Sequence, residues 1–128
     1  MKSILIIEDE SSLQKILGEQ LSKRGYRVLA AGDGKEGLRR ATEEHPDLIL
    51  LDLIMPYVDG LQMLGDLRKD AWGKSAAVIV LTNLNDIKAR QTSTDLSALD
   101  YLVKSDWTME EIFKKVDRLL QNGTSSQV

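Results

Sequence analysis

The sequence contains no cysteine, so disulfides and thiolate metal sites are excluded. It contains one histidine, His45, which stands before Pro46 at the end of an amphipathic segment and is expected to be solvated; the chain therefore offers no obvious phosphohistidine site of its own. No apolar run approaches the roughly 18 residues needed to cross a bilayer. The N-terminal MKSILIIEDE turns acidic after one strand's length of apolar residues, which does not fit a signal peptide. Basic residues are not in excess: the formal net charge is -3, which argues against nucleic acid as a direct partner. What is present is the balance of a globular chain, 42% hydrophobic and 29% charged, in 128 residues, enough for one domain and too few for two. A cytoplasmic location is the expectation.

Short apolar runs alternate with longer amphipathic segments. The runs are Ile4 to Ile7, Val28 to Ala31, Leu48 to Leu51, Ala76 to Leu81 and Leu99 to Val103. Their length and their Ile, Leu and Val content predict strands buried on both faces. The first helix places Leu13, Ile16, Leu17 and Leu21 on one stripe and stops at Gly25. The second opens with Asp33 and Glu36 in capping-box spacing and stops before His45-Pro46. The third follows a turn at Asp59-Gly60 and aligns Leu61, Leu64 and Leu67. The fourth, between Asp86 and Leu96, contains Thr92, Ser93 and Thr94 and little apolar content, so low local stability is expected. The last opens with Thr108 and Glu111, carries Ile112, Phe113, Val116, Leu119 and Leu120, and ends near Gly123. Strand and helix thus alternate five times, which implies an α/β fold with a parallel sheet and helices on both faces. Residues 1–121 are expected to form the domain, and 122–128 a polar tail or the start of a linker.

The chemistry lies where the strands stop. Glu8 and Asp9 follow the first, Asp52 closes the third, Thr82 the fourth and Lys104 the fifth; the second ends in nothing comparable. In a flavodoxin-like sheet of order 2-1-3-4-5 the second strand is at an edge, and sites form at the carboxyl ends of the others. Three carboxylates brought together repel, and a divalent cation relieves the repulsion; oxygen-only ligation favours Mg2+. With a lysine and a hydroxyl nearby, such a site can neutralise the oxygens of a transferring phosphoryl group. Asp52 is then the nucleophile, Glu8 and Asp9 hold the metal, and Lys104 and Thr82 bind phosphoryl oxygens. Taken singly, each residue has a plainer role: Glu8, Asp9 or Thr82 as helix caps, Lys104 as the ion-pair partner of Asp52, Tyr101 as a packed edge aromatic. Trp72 and Trp107 read as packing or surface residues, with Trp107 near enough to Lys104 to report on it.

The segments IIEDE, LILLDLIMPYVDG, VIVLTN and DYLVK, in order over roughly Lys2 to Leu120, resemble the response-regulator receiver family. The resemblance implies a (βα)5 fold, a phosphoryl group taken from a histidine kinase or phosphotransfer protein, and a role that is not turnover of an external substrate. It implies that the backbone carbonyl of Ile54 completes the Mg2+ site and that Tyr101 is the switch aromatic. It also implies an output protein engaged through helix 4, strand 5 and helix 5, with a phosphorylation-dependent homodimer as one such assembly. The sequence departs from the family pattern at Glu8, where aspartate is usual, at Asn83, where alanine is usual, and at Ser105, where proline follows a cis bond. A cis bond before serine would cost ~3 kcal/mol, so a trans bond is expected there. Leu84 and Ile54 offer no group to orient an attacking water, which predicts a long-lived phosphoryl group. Rival readings are a degenerate receiver acting as a scaffold, an aspartate-nucleophile phosphatase (disfavoured by Ile54 in place of a second carboxylate) and a nucleotide-binding module. The last is opposed by the charge of Glu8-Asp9-Glu10.

Overall fold

The computed structural model describes residues 1–52, 57–82 and 87–121. Five strands alternate with five helices. They are β1 (Ser3–Ile7), α1 (Ser11–Lys23), β2 (Arg27–Ala31), α2 (Gly34–Glu44), β3 (Leu48–Asp52), α3 (Tyr57–Lys69), β4 (Val78–Thr82), α4 (Ile87–Asp95), β5 (Asp100–Val103) and α5 (Met109–Gln121). The strands form one parallel sheet in the order β2-β1-β3-β4-β5. This is the doubly wound, flavodoxin-like arrangement expected from the alternation.

The central strands are apolar except at their ends, at Ser3, Asp52 and Thr82, because both faces are covered, and successive side chains serve different layers. Leu5, Ile7, Ile49, Leu51, Val78 and Val80 pack with Ala41, Leu64, Leu67 and Ala89, from α2, α3 and α4. Ile4, Ile6, Leu48, Leu50, Ile79 and Leu81 pack with Leu17, Leu21, Ile112, Phe113 and Val116, from α1 and α5. On the first face α2 lies very close to β1. A Cβ at Gly37 would come within 2.5 Å of Ile7 Cδ1 and 2.8 Å of Ile7 Cγ1, and Ile7 is fully buried. Gly37→Val is therefore expected to cost about 2 kcal/mol, read as a lower urea midpoint at unchanged slope.

Local signals explain four of the helix ends. Asp33 accepts the Glu36 N–H at 2.7 Å at the start of α2. Thr108 and Glu111 form a reciprocal box at α5, with Thr108 N–H donating to Glu111 Oε1 at 2.8 Å and Glu111 N–H to Thr108 Oγ1 at 3.1 Å. Gly25, at φ +96, turns the chain after α1. His45 leaves α2 in the left-handed region at φ 50, and its ring stacks on Trp72 with centroids 4.5 Å apart.

Several expectations need correction. α3 begins at Tyr57, so Asp59-Gly60 lies inside its first turn and not ahead of it. Ile16, expected on the buried stripe of α1, is 47% exposed; the stripe that meets the sheet is Leu17 and Leu21, with Leu13 partly buried. β4 starts at Val78 because residues Gly73–Ser75 form a 3-10 turn and Ala76 leaves it. β5 starts at Asp100, leaving Leu99 exposed. A second 3-10 turn, Lys104–Asp106, follows β5, and no described peptide bond is cis, including that between Lys104 and Ser105. Among the described side chains of α4, Ala89 is the one buried apolar group, which fits a weakly anchored helix.

Candidate functional site

Strand register brings the polar residues together. Ile7 is the partner of Leu51, so Glu8, one residue on, stands level with Asp52. Asp52 is the partner of Leu81 and Thr82 of Val103, so Thr82 and then Lys104 follow one step further along the adjacent strands. β2 ends at Ala31, outside this group, at the sheet edge.

Lys104 Nζ donates to Asp52 Oδ2 at 2.7 Å and stands 3.7 Å from Glu8 Oε1. Asp52 is 3% exposed, and Glu8 and Thr82 are fully buried. Glu8 Oε2 accepts the Glu10 N–H at 3.0 Å, while Oε1 accepts no hydrogen bond. Burial pushes the Glu8 carboxyl up to about 8, helped by the neighbouring Asp52 carboxylate; the Glu10 N–H and Lys104 oppose the rise. Two buried carboxylates therefore share one lysine.

The structure does not place every expected residue in this cluster. Asp9 is exposed at its mouth, and among the described residues no three His, Cys, Asp or Glu side chains converge closely enough to hold a metal by themselves. Neither Glu8 nor Asp9 caps α1: its N-cap is Glu10, whose side chain accepts the Ser12 hydroxyl instead. Ile54, Asn83 and Leu84 lie outside the described residues. Tyr101, on β5, is 6% exposed, with the Arg90 guanidinium 4.6 Å above its ring. Trp107 is half-buried, just after the turn that carries Lys104, and its ring lies 5.7 Å from Lys115 Nζ.

Sequence reasoning passed over Gln14, whose carboxamide donates to the carbonyls of Glu8, at 3.0 Å, and Ala31, at 3.1 Å. Its one signal was a polar side chain next to the apolar stripe of α1. Arg68, at the end of α3, was also missed. Its guanidinium donates to the carbonyls of Leu96 at 2.7 Å, Gly73 and Ala76 at 2.8 Å and Ser97 at 3.1 Å.

The donor set is hard oxygen, and Glu8 Oε1 is a buried acceptor without a hydrogen bond. These features fit a small divalent cation. No described helix is long and apolar enough to cross a membrane.

Comparison with known proteins agrees with this geometry. The response regulator receiver domain family matches residues 4–117. A "Probable transcriptional regulator ycf27" of Porphyridium aerugineum is 38% identical across 95% of this chain and 52% of its own length. The response regulator ArlR of Staphylococcus aureus is 33% identical across 100% of this chain and 57% of its own. The chain thus spans about half the length of these curated relatives. Among solved structures, the Thermotoga maritima response regulator TrrA, in complex with Mg(2+)-BeF, superposes with TM-score 0.80 at 35% identity, covering 94% of this chain and 100% of that one. The Vibrio cholerae chemotaxis protein CheY4 gives TM-score 0.84 at 28% identity, covering 94% and 99%. With its order of strands, its buried carboxylates at their ends and a family match over most of its length, this chain belongs to the response regulator receivers of two-component signalling.

Proposed function

We propose that Asp52 accepts a phosphoryl group from a histidine kinase or phosphotransfer protein, and that the phosphorylated chain changes its protein contacts. The observation that carries this reading is the Asp52 carboxylate, 3% exposed, held at 2.7 Å by Lys104 beside a second buried carboxylate. Two buried carboxylates served by one lysine are costly unless the arrangement is used. Glu8, Asp52 and the Ile54 carbonyl would hold Mg2+, with Asp9 from the mouth of the site. Bound there, the ion neutralises the carboxylates and draws charge from the phosphoryl oxygens.

The remaining work falls to the chain's own side chains. An Asp52 oxygen forms a bond to phosphorus as the bond from phosphorus to the donor breaks, and the donor leaves with that electron pair. Lys104 then exchanges its carboxylate contact for a phosphoryl oxygen, and the Thr82 hydroxyl donates to another. Movement of Thr82 and of Tyr101, on the adjacent strands β4 and β5, would alter the surface of α4, β5 and α5. That surface is where an output protein, or a second copy of the chain, would bind. The chemistry is stoichiometric on the chain itself. The reading takes residues 1–121 as the receiver unit and a cytoplasmic setting. Since the longer relatives are named as transcriptional regulators, any contact with DNA is assigned outside this acidic unit.

Intact-mass measurement after treatment with acetyl phosphate and MgCl2 is expected to show one added phosphoryl group. After removal of donor, that group is expected to persist for minutes or longer. A folded chain that binds Mg2+ and gains no mass would sink the phosphoacceptor reading in favour of a scaffold, and decay within seconds would overturn the long lifetime.

A further inference from the structure

The residue that carries the buried carboxylate is fixed at nearly every polar atom. The Glu8 N–H donates to the Ala31 carbonyl at 3.0 Å, and Glu8 Oε2 accepts the Glu10 N–H at 3.0 Å. The Glu8 carbonyl accepts from Gln14 Nε2 at 3.0 Å, and the same nitrogen reaches the Ala31 carbonyl at 3.1 Å. One carboxamide therefore ties the ends of β1 and β2 together around Glu8. Because the peptide is planar, fixing the Glu8 carbonyl also fixes the direction in which the chain enters Asp9. What is left without a hydrogen bond is Glu8 Oε1, the atom that faces Lys104 and the Asp52 carboxylate.

We propose that Gln14 is a positioning residue for the cation site: its carboxamide holds the Glu8-Asp9 peptide so that both acidic side chains start from a fixed backbone. The inference rests on the reading of the site as a magnesium-assisted phosphoacceptor. Mg2+ demands near-ideal octahedral geometry, so looseness in the peptide between two of its ligands weakens binding even when every ligand is present. Gln14 reaches the peptide from the first turns of α1, a helix seated on the sheet by Leu17 and Leu21, and so transmits the rigidity of the core to an otherwise short acidic loop.

The test uses the full chain and two variants. Gln14→Met keeps length and removes both donated hydrogen bonds. Gln14→Glu keeps shape, presents acceptors to the two carbonyls and adds a negative charge nearby. Calorimetric titration with MgCl2, well below each unfolding midpoint, is expected to give a Kd about tenfold weaker for both variants. Phosphoryl gain from acetyl phosphate is expected to slow about tenfold at limiting Mg2+ and to return to within about twofold of the parent at saturating Mg2+. An unchanged Kd in Gln14→Met overturns the proposal and leaves the phosphoacceptor reading intact. Tighter binding by Gln14→Glu also overturns it, because charge and not position would then govern affinity. Failure of the parent chain to bind Mg2+ removes both.

Discussion

Asp52→Asn is expected to abolish phosphoryl gain outright, with no mass increase from acetyl phosphate and MgCl2 at any time, because the amide is not a nucleophile toward phosphorus. The same variant is expected to hold its stability better than the parent as pH rises in metal-free solution. In the parent, burial raises the Glu8 carboxyl from its ordinary 4.5 to about 8, with Asp52 adding to the rise. The folded chain therefore binds a proton more tightly than the unfolded one. The stability this confers is complete below pH 4.5 and is lost as pH climbs through about 8. Asp52→Asn removes the neighbouring negative charge and offers an N–H to Glu8 Oε1, while Lys104 keeps Glu8 as a partner. Urea denaturation in EDTA at pH 5 and pH 8 should show the variant gaining on the parent by roughly 1–2 kcal/mol across that interval. A parallel fall in both proteins would mean that burial alone sets the Glu8 proton. Added Mg2+ should flatten the decline in the parent, since the metal takes the place of the proton.

Arg68→Ala carries the largest structural penalty in prospect, about 3 kcal/mol or more. One guanidinium serves four carbonyls, of Leu96, Gly73, Ala76 and Ser97, so it joins the end of α3, the turn that leads into β4 and the chain leaving α4. Burial lowers the proton affinity of Arg68, which measures the solvation it has given up for these contacts. Removing it takes the donors from the part-buried contacts at Leu96, Gly73 and Ala76, while the contact at Ser97, a residue in the left-handed region at φ 62, is exposed to water. Arg68→Lys should recover less than half of the loss, because an ammonium on a single stem cannot span the fork. Denaturation midpoints for the two variants give the comparison directly; equal stability of Arg68→Ala and the parent would show that water replaces the guanidinium without cost.

These two residues also mark what the sequence could and could not tell. Asp52 was legible because it ends an apolar run, and an acidic group directly after four buried residues must be either capped or used. The same logic found Glu8, Thr82 and Lys104, and the one strand without such a residue, β2, is the strand that a flavodoxin-like order puts at the edge. The division of labour between Glu8 and Asp9 was not legible. Adjacent residues past a strand end differ in direction, and only register showed that Glu8 stands level with Asp52 while Asp9 faces solvent. Arg68 reads in sequence as an ordinary basic residue in the last turn of a helix, since two of its four acceptors lie 28 and 29 residues further along the chain. Gln14 is hidden for the same reason: its second acceptor, the Ala31 carbonyl, comes from a strand 17 residues away. α3 was entered too late because Asp59-Gly60 is a strong turn signal that helix formation from Tyr57 overrides.

The alternation of side chains between the two cores has a consequence for how this sequence can change length. In β3, Leu48 and Leu50 belong to one core and Ile49 and Leu51 to the other, and Asp52 follows directly. The strand therefore acts as a ruler with two scales: each residue advances the carboxylate by about 3.3 Å and reverses the side to which it points. Inserting or deleting one residue in β3 would exchange the two cores and carry Asp52 off the level of Glu8 in the same step, so a slip in folding register cannot leave a sound fold with a misplaced acceptor. Insertions are better placed in the connections at the opposite end of the sheet, where the ladder has no acceptor to keep in line.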